Sequence, residues 1–437
     1  MNSLAILWAQ YGPYHFARVR ALKELARPAV VHALEFANQT RDYAWSRSAD
    51  SAELITLCPG VATEQLPFQT VFQNTRRRLK ELRVDVCFLP SYSPQQPLAA
   101  LLAAKSLGIK TVMMNESHAG TARAGRAGTW VKRRLVRMFD AALVGGAPQK
   151  RYFQSLGLPE ERIFIGYDAV DNDYFFKRAE EIRSRPEEAR LRFELPEHYF
   201  LSLGRFVAKK NLGTLLRAYR KFLDSTPNSK THLVMVGAGE EEATLQALCD
   251  ELRLPICRLS ETGRPENRGT APVPREKPGV HFFGFRQIEE NPCFYSLADA
   301  FVLPSLYEEW GLVVNEAMAS GLPVVVSETA GCAEDLLETG RPRNGSNEVL
   351  EAGLQNGLRS RLRRNGFVFD PGSSDECAAI FRVLESRREL RQAMGVASRQ
   401  IVEKFSCRNF ALNALWAADA AMGWKRESTI AAPSSQT

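Results

Sequence analysis

The chain has 437 residues, 45% hydrophobic and 24% charged, which is the composition of a folded protein of two or three domains and excludes a disordered or fibrous one. Asp, Glu, Arg or Pro breaks every long apolar run, so no stretch supplies the ~18 apolar residues of a membrane span. The net charge of +7 is uneven: residues 1–190 carry 27 Lys and Arg against 19 Asp and Glu, a surplus of +8, and the remainder carries 30 against 31. A basic first part attracts polyanions, whether anionic lipid, nucleic acid or a phosphorylated substrate. The eight cysteines form no CxxC pair and read as buried reduced thiols. The opening MNSLAILWAQYGPYHF has no basic stretch before its short apolar run, so it does not read as a signal peptide, and a cytoplasmic location is expected.

In chain order, SLAILWA predicts a strand and HFARVRALKELA a helix, then VDVCFL and PLAALLAAKSLG, TVMMN, and AALVGG and QKRYFQSLG. Strands alternating with helical patterns imply βαβ units and parallel sheets. The charged stretch 177–198 contains no apolar run and reads as an exposed segment between domains. The rhythm resumes with YFLSLG and LGTLLRAYRKFL, HLVMVG and EEATLQALCDEL, VHFFGF, ADAFVLP, GLVVNEAMASG and PVVVS. The polar stretches 258–279 and 340–364 read as surface insertions, 406–424 as an amphipathic helix, and 425–437 as a disordered tail.

The passage 298–327 places a strand, a loop with Glu308 and Glu309, and a helix in immediate succession. Ligands of open parallel sheets sit beyond the carboxyl ends of strands, where Glu308 falls. Glu316 lies inside the helix between apolar neighbours and needs a hydrogen-bonding partner, which a pair of ribose hydroxyls would supply. In 199–216, Arg205 follows a strand end and Lys210 precedes a helix that Asn211 can cap, a plausible diphosphate site; Lys209 reads as pointing to water. Gly237 and Gly239 lack the third glycine of a dinucleotide fingerprint and read as structural. In the first half, Gly12 and His15 follow the opening strand and Glu116 and His118 follow a later one, positions open to an acceptor or simply to solvent. TWVKRRLVRMF reads as a core helix with a solvated basic face, with a membrane-surface helix as the alternative. Asp171-Asn172-Asp173 superficially matches a metal-holding Asp-x-Asp but stands far in sequence from the other candidates, so no metal is expected.

Pro304-Ser305, Glu308, Trp310-Gly311, Glu316-Ala317 and Gly321-x-Pro323, with Gly204-Arg205 and Lys210 upstream and Asn365-Gly366-Phe367 downstream, resemble the GT-B glycosyltransferases of glycosyltransferase family 4. The resemblance covers about residues 199–372. It implies an α/β fold of two Rossmann-like domains with parallel sheets facing a central cleft. The expected N-terminal acceptor domain is 1–185 with a crossover helix at about 406–424, and the nucleotide-sugar domain is 195–405. It implies a retaining, metal-independent transfer of a hexose from a UDP-, GDP- or ADP-sugar to a saccharide or lipid-linked acceptor, in cell-surface or exopolysaccharide synthesis. Glu316 should hold the donor ribose, Glu308 the donor sugar or the reacting centre, and Arg205 and Lys210 the diphosphate. Gly311, Leu312 and Phe285 are counted with the donor contacts, His118 with the catalytic candidates, and His15, Gly12 and Glu116 with the acceptor side. In the family's commonly proposed mechanism the acceptor attacks from the leaving-group face and a phosphate oxygen takes its proton. The +8 surplus suggests weak docking on an anionic membrane, and no nucleic-acid partner is expected. The rival reading is a catalytically silent nucleotide-sugar sensor or partner on the same fold.

Overall fold

The structure, a computed structural model, describes residues 1–39, 53–122, 125–258, 277–340 and 356–424. Most of the two expected surface insertions and the expected tail at 425–437 lie outside the described residues. The chain divides into two units, Met1–Asp168 with Cys407–Thr437, and Ala169–Ser406.

The first unit is built on seven strands: β1 (Ser3–Trp8), β2 (Val30–Glu35), β3 (Ile55–Thr56), β4 (Val86–Pro90), β5 (Lys110–Asn115), β6 (Ala141–Val144) and β7 (Ile163–Ile165). They lie in the order β3-β2-β1-β4-β5-β6-β7, and every pairing is parallel. β1 is buried along its whole length, as a strand covered on both faces must be, which explains its unbroken apolar run. The helix Cys407–Met422 belongs to this unit and packs on the helix Pro13–Leu25. Ala411, Ala414 and Ala418 are buried along it, small side chains that let the two backbones approach.

The second unit is built on eight: β8 (Tyr199–Leu203), β9 (His232–Val236), β10 (Ile256–Arg258), β11 (Val280–Phe283), β12 (Ala300–Leu303), β13 (Val324–Ser327), β14 (Leu362–Arg363) and β15 (Gly366–Phe369). Their order is β10-β11-β9-β8-β12-β13-β15-β14, parallel except for the β14–β15 edge. In the helix Leu212–Ser225, Leu212, Leu215, Leu216, Tyr219, Phe222 and Leu223 are buried at helical spacing. This face meets an aromatic centre in which Phe200 and Phe381 stack with ring centroids 4.4 Å apart and Phe222 stands edge-on to Phe200.

One expectation is corrected here. The charged stretch 177–198 is mostly helical, within Asn172–Ser184 and Pro186–Phe193. Ala179, Ala189 and Phe193 are buried, and the first of these helices packs on Asn291–Leu297 and Leu312–Ala319 inside the second unit. A few well-spaced apolar residues suffice to seat a helix whose other faces are charged. The helix Arg126–Val136 seats Leu135 and Val136 against the core and leaves Arg133 and Arg134 exposed, as read, but Trp130 and Val131 are exposed too. Among the described residues, no helix is long and apolar enough to cross a membrane.

Candidate functional site

In the second sheet the strand order reverses between β8 and β12, and in open parallel sheets ligands bind beyond the carboxyl ends of the strands at such a reversal. The loop after β8 carries Arg205, Lys209 and Lys210; the loop after β12 carries Ser305, Glu308 and Glu309. The structure brings these together. Lys210 Nζ bonds the Glu308 carboxylate, which also accepts from Ser305 Oγ at 3.2 Å. Lys209 Nζ lies 2.8 Å from Glu309 and 3.6 Å from Glu308, and over the Tyr307 ring. Lys209 therefore does not point to water, as its sequence suggests. Burial works against its charge, but Glu308 and Glu309 outweigh it and hold its pKa above the ordinary lysine value. Burial likewise disfavours the Glu309 anion, and the Lys209 bond still brings its pKa below the carboxylate range.

Backbone geometry fixes this cluster. Asn211 sits at the cap position of its helix in the left-handed region, φ 54°, but its side chain makes no cap bond. Its Oδ1 accepts from Thr214 Oγ1 at 2.8 Å, and its amide donates to Pro304 O and Pro371 O at 3.1 and 2.8 Å. The expected helix cap is thus a tie between three loops: Nδ2 serves two carbonyls, and Oδ1, the atom that would accept from a helix amide, takes the Thr214 hydroxyl instead. Gly237 and Gly239 follow β9, and a Cβ on either would fall 1.9 Å from Gly204 O or 2.3 Å from Phe206 O. They let two loops touch along their backbones, in keeping with a structural role. Gly311, at φ 107°, begins the helix Leu312–Ala319, and a Cβ there would press on Leu303 and Glu308.

The remaining candidates of this unit are more dispersed. Glu316 is fully enclosed, with the Asn291 amide 3.5 Å from its carboxylate. Trp310, also buried, donates from its indole to Asn315 Oδ1 at 2.9 Å. Arg205 is exposed and Leu312 half-buried. Phe285 follows β11, two strands from β8, and is exposed. Asp171 accepts from the Tyr174 amide at 3.0 Å as a helix cap, and the Asn172 side-chain amide donates to Val402 O at the end of the helix Arg388–Val402, so two members of that triplet make structural bonds. Among the described residues, no group of three or more His, Cys, Asp or Glu is placed to hold a metal ion.

In the first unit, Gly12 caps the helix Pro13–Leu25 and its amide donates to His15 Nδ1 at 2.9 Å. Burial first, then the Arg18 charge, lowers the His15 pKa to about 3, and its ring packs on Trp8 at 4.5 Å. His118 is buried, with Nδ1 accepting from the Gly120 amide at 3.2 Å. Glu116 is half-buried and faces a group that the sequence does not single out: Arg18, Tyr167 and Asp168. Arg18 and Asp168 are almost wholly enclosed, 4.0 Å apart, with the Arg18 guanidinium over the Tyr167 ring and Trp8 Nε1 donating to Tyr167 Oη at 2.9 Å. Burial, then Glu116, raises the Asp168 pKa well above the carboxylate range against the pull of Arg18. The only sequence signals for this group are that Arg18 lies one helical turn past His15 and that Asp168 lies just beyond the β7 end.

Comparison with known proteins agrees with this architecture. Residues 197–385 match the family described as Glycosyl transferases group 1. The sulfoquinovosyl transferase SQD2 of Arabidopsis thaliana is 27% identical over 71% of this chain and 51% of its own length. The chain spans about half the length of the curated relatives it matches first. Among solved structures, sucrose-phosphate synthase from Thermosynechococcus elongatus superposes with a TM-score of 0.64 at 17% identity, over 95% of this chain and 97% of that one. Anabaena HepE in complex with UDP does so with 0.60 at 16% identity, over 95% and 98%. Over residues 197–385 the chain is similar to the glycosyl transferases group 1 family, and its two parallel-sheet units have the GT-B fold of these solved structures.

Proposed function

We propose that the chain is a retaining glycosyltransferase that moves a hexose from a nucleotide diphosphate sugar to a saccharide or lipid-linked acceptor in glycan synthesis. The observation that carries the reading is the ion cluster at the β8/β12 reversal, two lysines held against two glutamates at the carboxyl ends of adjacent strands. The leaving nucleotide gains negative charge as the glycosidic bond breaks, and fixed cations stabilise that charge most in the transition state. In this reading Lys210 exchanges the Glu308 carboxylate for a donor phosphate, with Arg205 beside it. Glu308, released from Lys210, faces the transferred sugar, and Glu316 takes the ribose hydroxyls. The acceptor hydroxyl attacks from the leaving-group face and passes its proton to a phosphate oxygen. Arg205 and Lys210 supply the charge neutralisation, so transfer proceeds in the presence of a chelator. HepE, which has been crystallised with UDP-glucose, makes uridine donors the first to test.

The test is calorimetric titration of UDP-, GDP- and ADP-sugars into the wild type, Glu316→Ala and Arg205→Ala, with a thermal melt of each variant. One nucleotide class should bind selectively, and both folded variants should lose at least about tenfold in affinity. Normal donor binding by both variants would overturn the site. Donor binding without nucleotide release on adding any acceptor of the class would favour the silent sensor.

A further inference from the structure

We propose that the helix Arg126–Val136 docks the first unit on an anionic lipid surface, with Trp130 and Val131 entering the interface and Arg133, Arg134 and Arg137 meeting lipid phosphate. Between Ser117 and Phe139 the sequence holds six Lys and Arg and no Asp or Glu, so no acidic side chain within this stretch offsets the cations. The inner side of the helix is anchored. Val136 is buried, Leu135 packs against the core of the unit, and Lys132 Nζ reaches Tyr152 Oη at 3.4 Å. The outer side carries Trp130 at 58% and Val131 at 48% exposure, with Arg133, Arg134 and Arg137 exposed around them.

Helical spacing makes this a single face. Arg134 follows Trp130 by four residues, and its guanidinium lies over the indole at 4.8 Å. A cation and a large aromatic ring are thus presented together. Water hydrates the arginines but gains nothing from the indole body or the Val131 side chain. The boundary between headgroups and acyl chains satisfies both, with the apolar groups below and the guanidinium groups at phosphate level. A nucleic acid would use the arginines and leave Val131 in water, so the apolar pair decides for lipid. Attachment by one short helix face is weak, reversible and sensitive to salt.

The inference goes beyond the transferase reading and is measured without any donor, so either can fail alone. Full-length protein is floated with phosphatidylcholine vesicles and with vesicles that also contain phosphatidylglycerol. Binding should require the anionic lipid. Each exposed arginine at the surface contributes about fivefold to partitioning, so Arg133→Gln with Arg134→Gln should lower it about 25-fold. Trp130→Ser should lower it at least about fivefold, and Trp130→Phe should retain most of it. All three positions are exposed, and a thermal melt checks that each variant stays folded. Binding indifferent to anionic lipid, binding unchanged by Trp130→Ser, or no binding would each overturn the proposal. Tighter binding to a duplex oligonucleotide than to anionic vesicles, unaffected by Trp130→Ser, would overturn it in favour of nucleic acid.

Discussion

Both parallel sheets reverse their strand order once, at β1/β4 in the first unit and at β8/β12 in the second, yet their rims handle charge differently. In the second unit, Lys209, Lys210, Glu308 and Glu309 are only partly covered and stand at the reversal itself. In the first unit, Arg18 and Asp168 are enclosed, and their balance is struck internally through Tyr167 and Glu116. Partly covered pairs can trade partners when a charged ligand arrives, because neither ion loses much solvation in the exchange. Enclosed ones cannot, because an abandoned partner is left charged in an apolar surrounding. Two halves built on one plan thus divide into a rim suited to a charged ligand and a rim that is chiefly architecture.

The sharpest way to break this contrast is Arg18→Met. Removing one member of an enclosed pair should cost about 3–5 kcal/mol in urea unfolding, and adding Asp168→Asn should recover part of it. An unchanged unfolding midpoint would mean that the first rim is not internally balanced. Next in size, Lys210→Met should lower kcat/KM for transfer about 10²–10³-fold. Its stability should change by no more than about 1 kcal/mol, since Lys209 still lies 3.6 Å from Glu308. A large loss of stability with normal turnover would reverse the roles assigned to the two rims.

A smaller effect comes from acid. His281 Nε2 and His232 Nδ1 lie 2.8 Å apart at the far ends of β11 and β9, and burial lowers their pKa values to about 3 and about 4, with the His232 ring further opposing charge on His281. The unfolded chain takes up these protons near pH 6.5, before the folded chain does. The stability that the neutral pair contributes is therefore present above about pH 6.5 and is lost as pH falls toward 4 and 3. Between pH 7 and pH 5 the loss should be about 1–2 kcal/mol for His232, and a His232→Phe, His281→Phe double variant should flatten the dependence. The smallest expected effect is that of Lys209→Ala, less than about tenfold on kcat/KM and fading with added salt, because Lys210 remains closer to Glu308.

The parts legible in sequence are those that are contiguous. Strand, loop and helix from Ala300 to Ala319 follow one another without interruption, so Glu308 and Gly311 could be placed from the pattern alone. What spacing does not carry is partnership across the fold. Trp8 and Tyr167 are 159 residues apart, and only the winding of the sheet makes them neighbours. Lys209 and Glu309, 100 residues apart, meet only because β8 and β12 are adjacent. β2 escaped the sequence pattern too, since VVHALE pairs one exposed and one half-buried residue with four buried ones and shows neither clear alternation nor an unbroken run.

The Asn211 amide has a consequence for the chemical ageing of the protein. Deamidation, or a single Asn211→Asp exchange, replaces the nitrogen that now donates to Pro304 O and Pro371 O with an oxygen that repels both. The change is nearly invisible in size and shape, yet two attractions become repulsions at a side chain that joins the loops after β8, β12 and β15. A protein stored until this residue has converted would keep its helices and strands but loosen along that seam, and Lys210 and Glu308, which meet across it, would no longer be held in register.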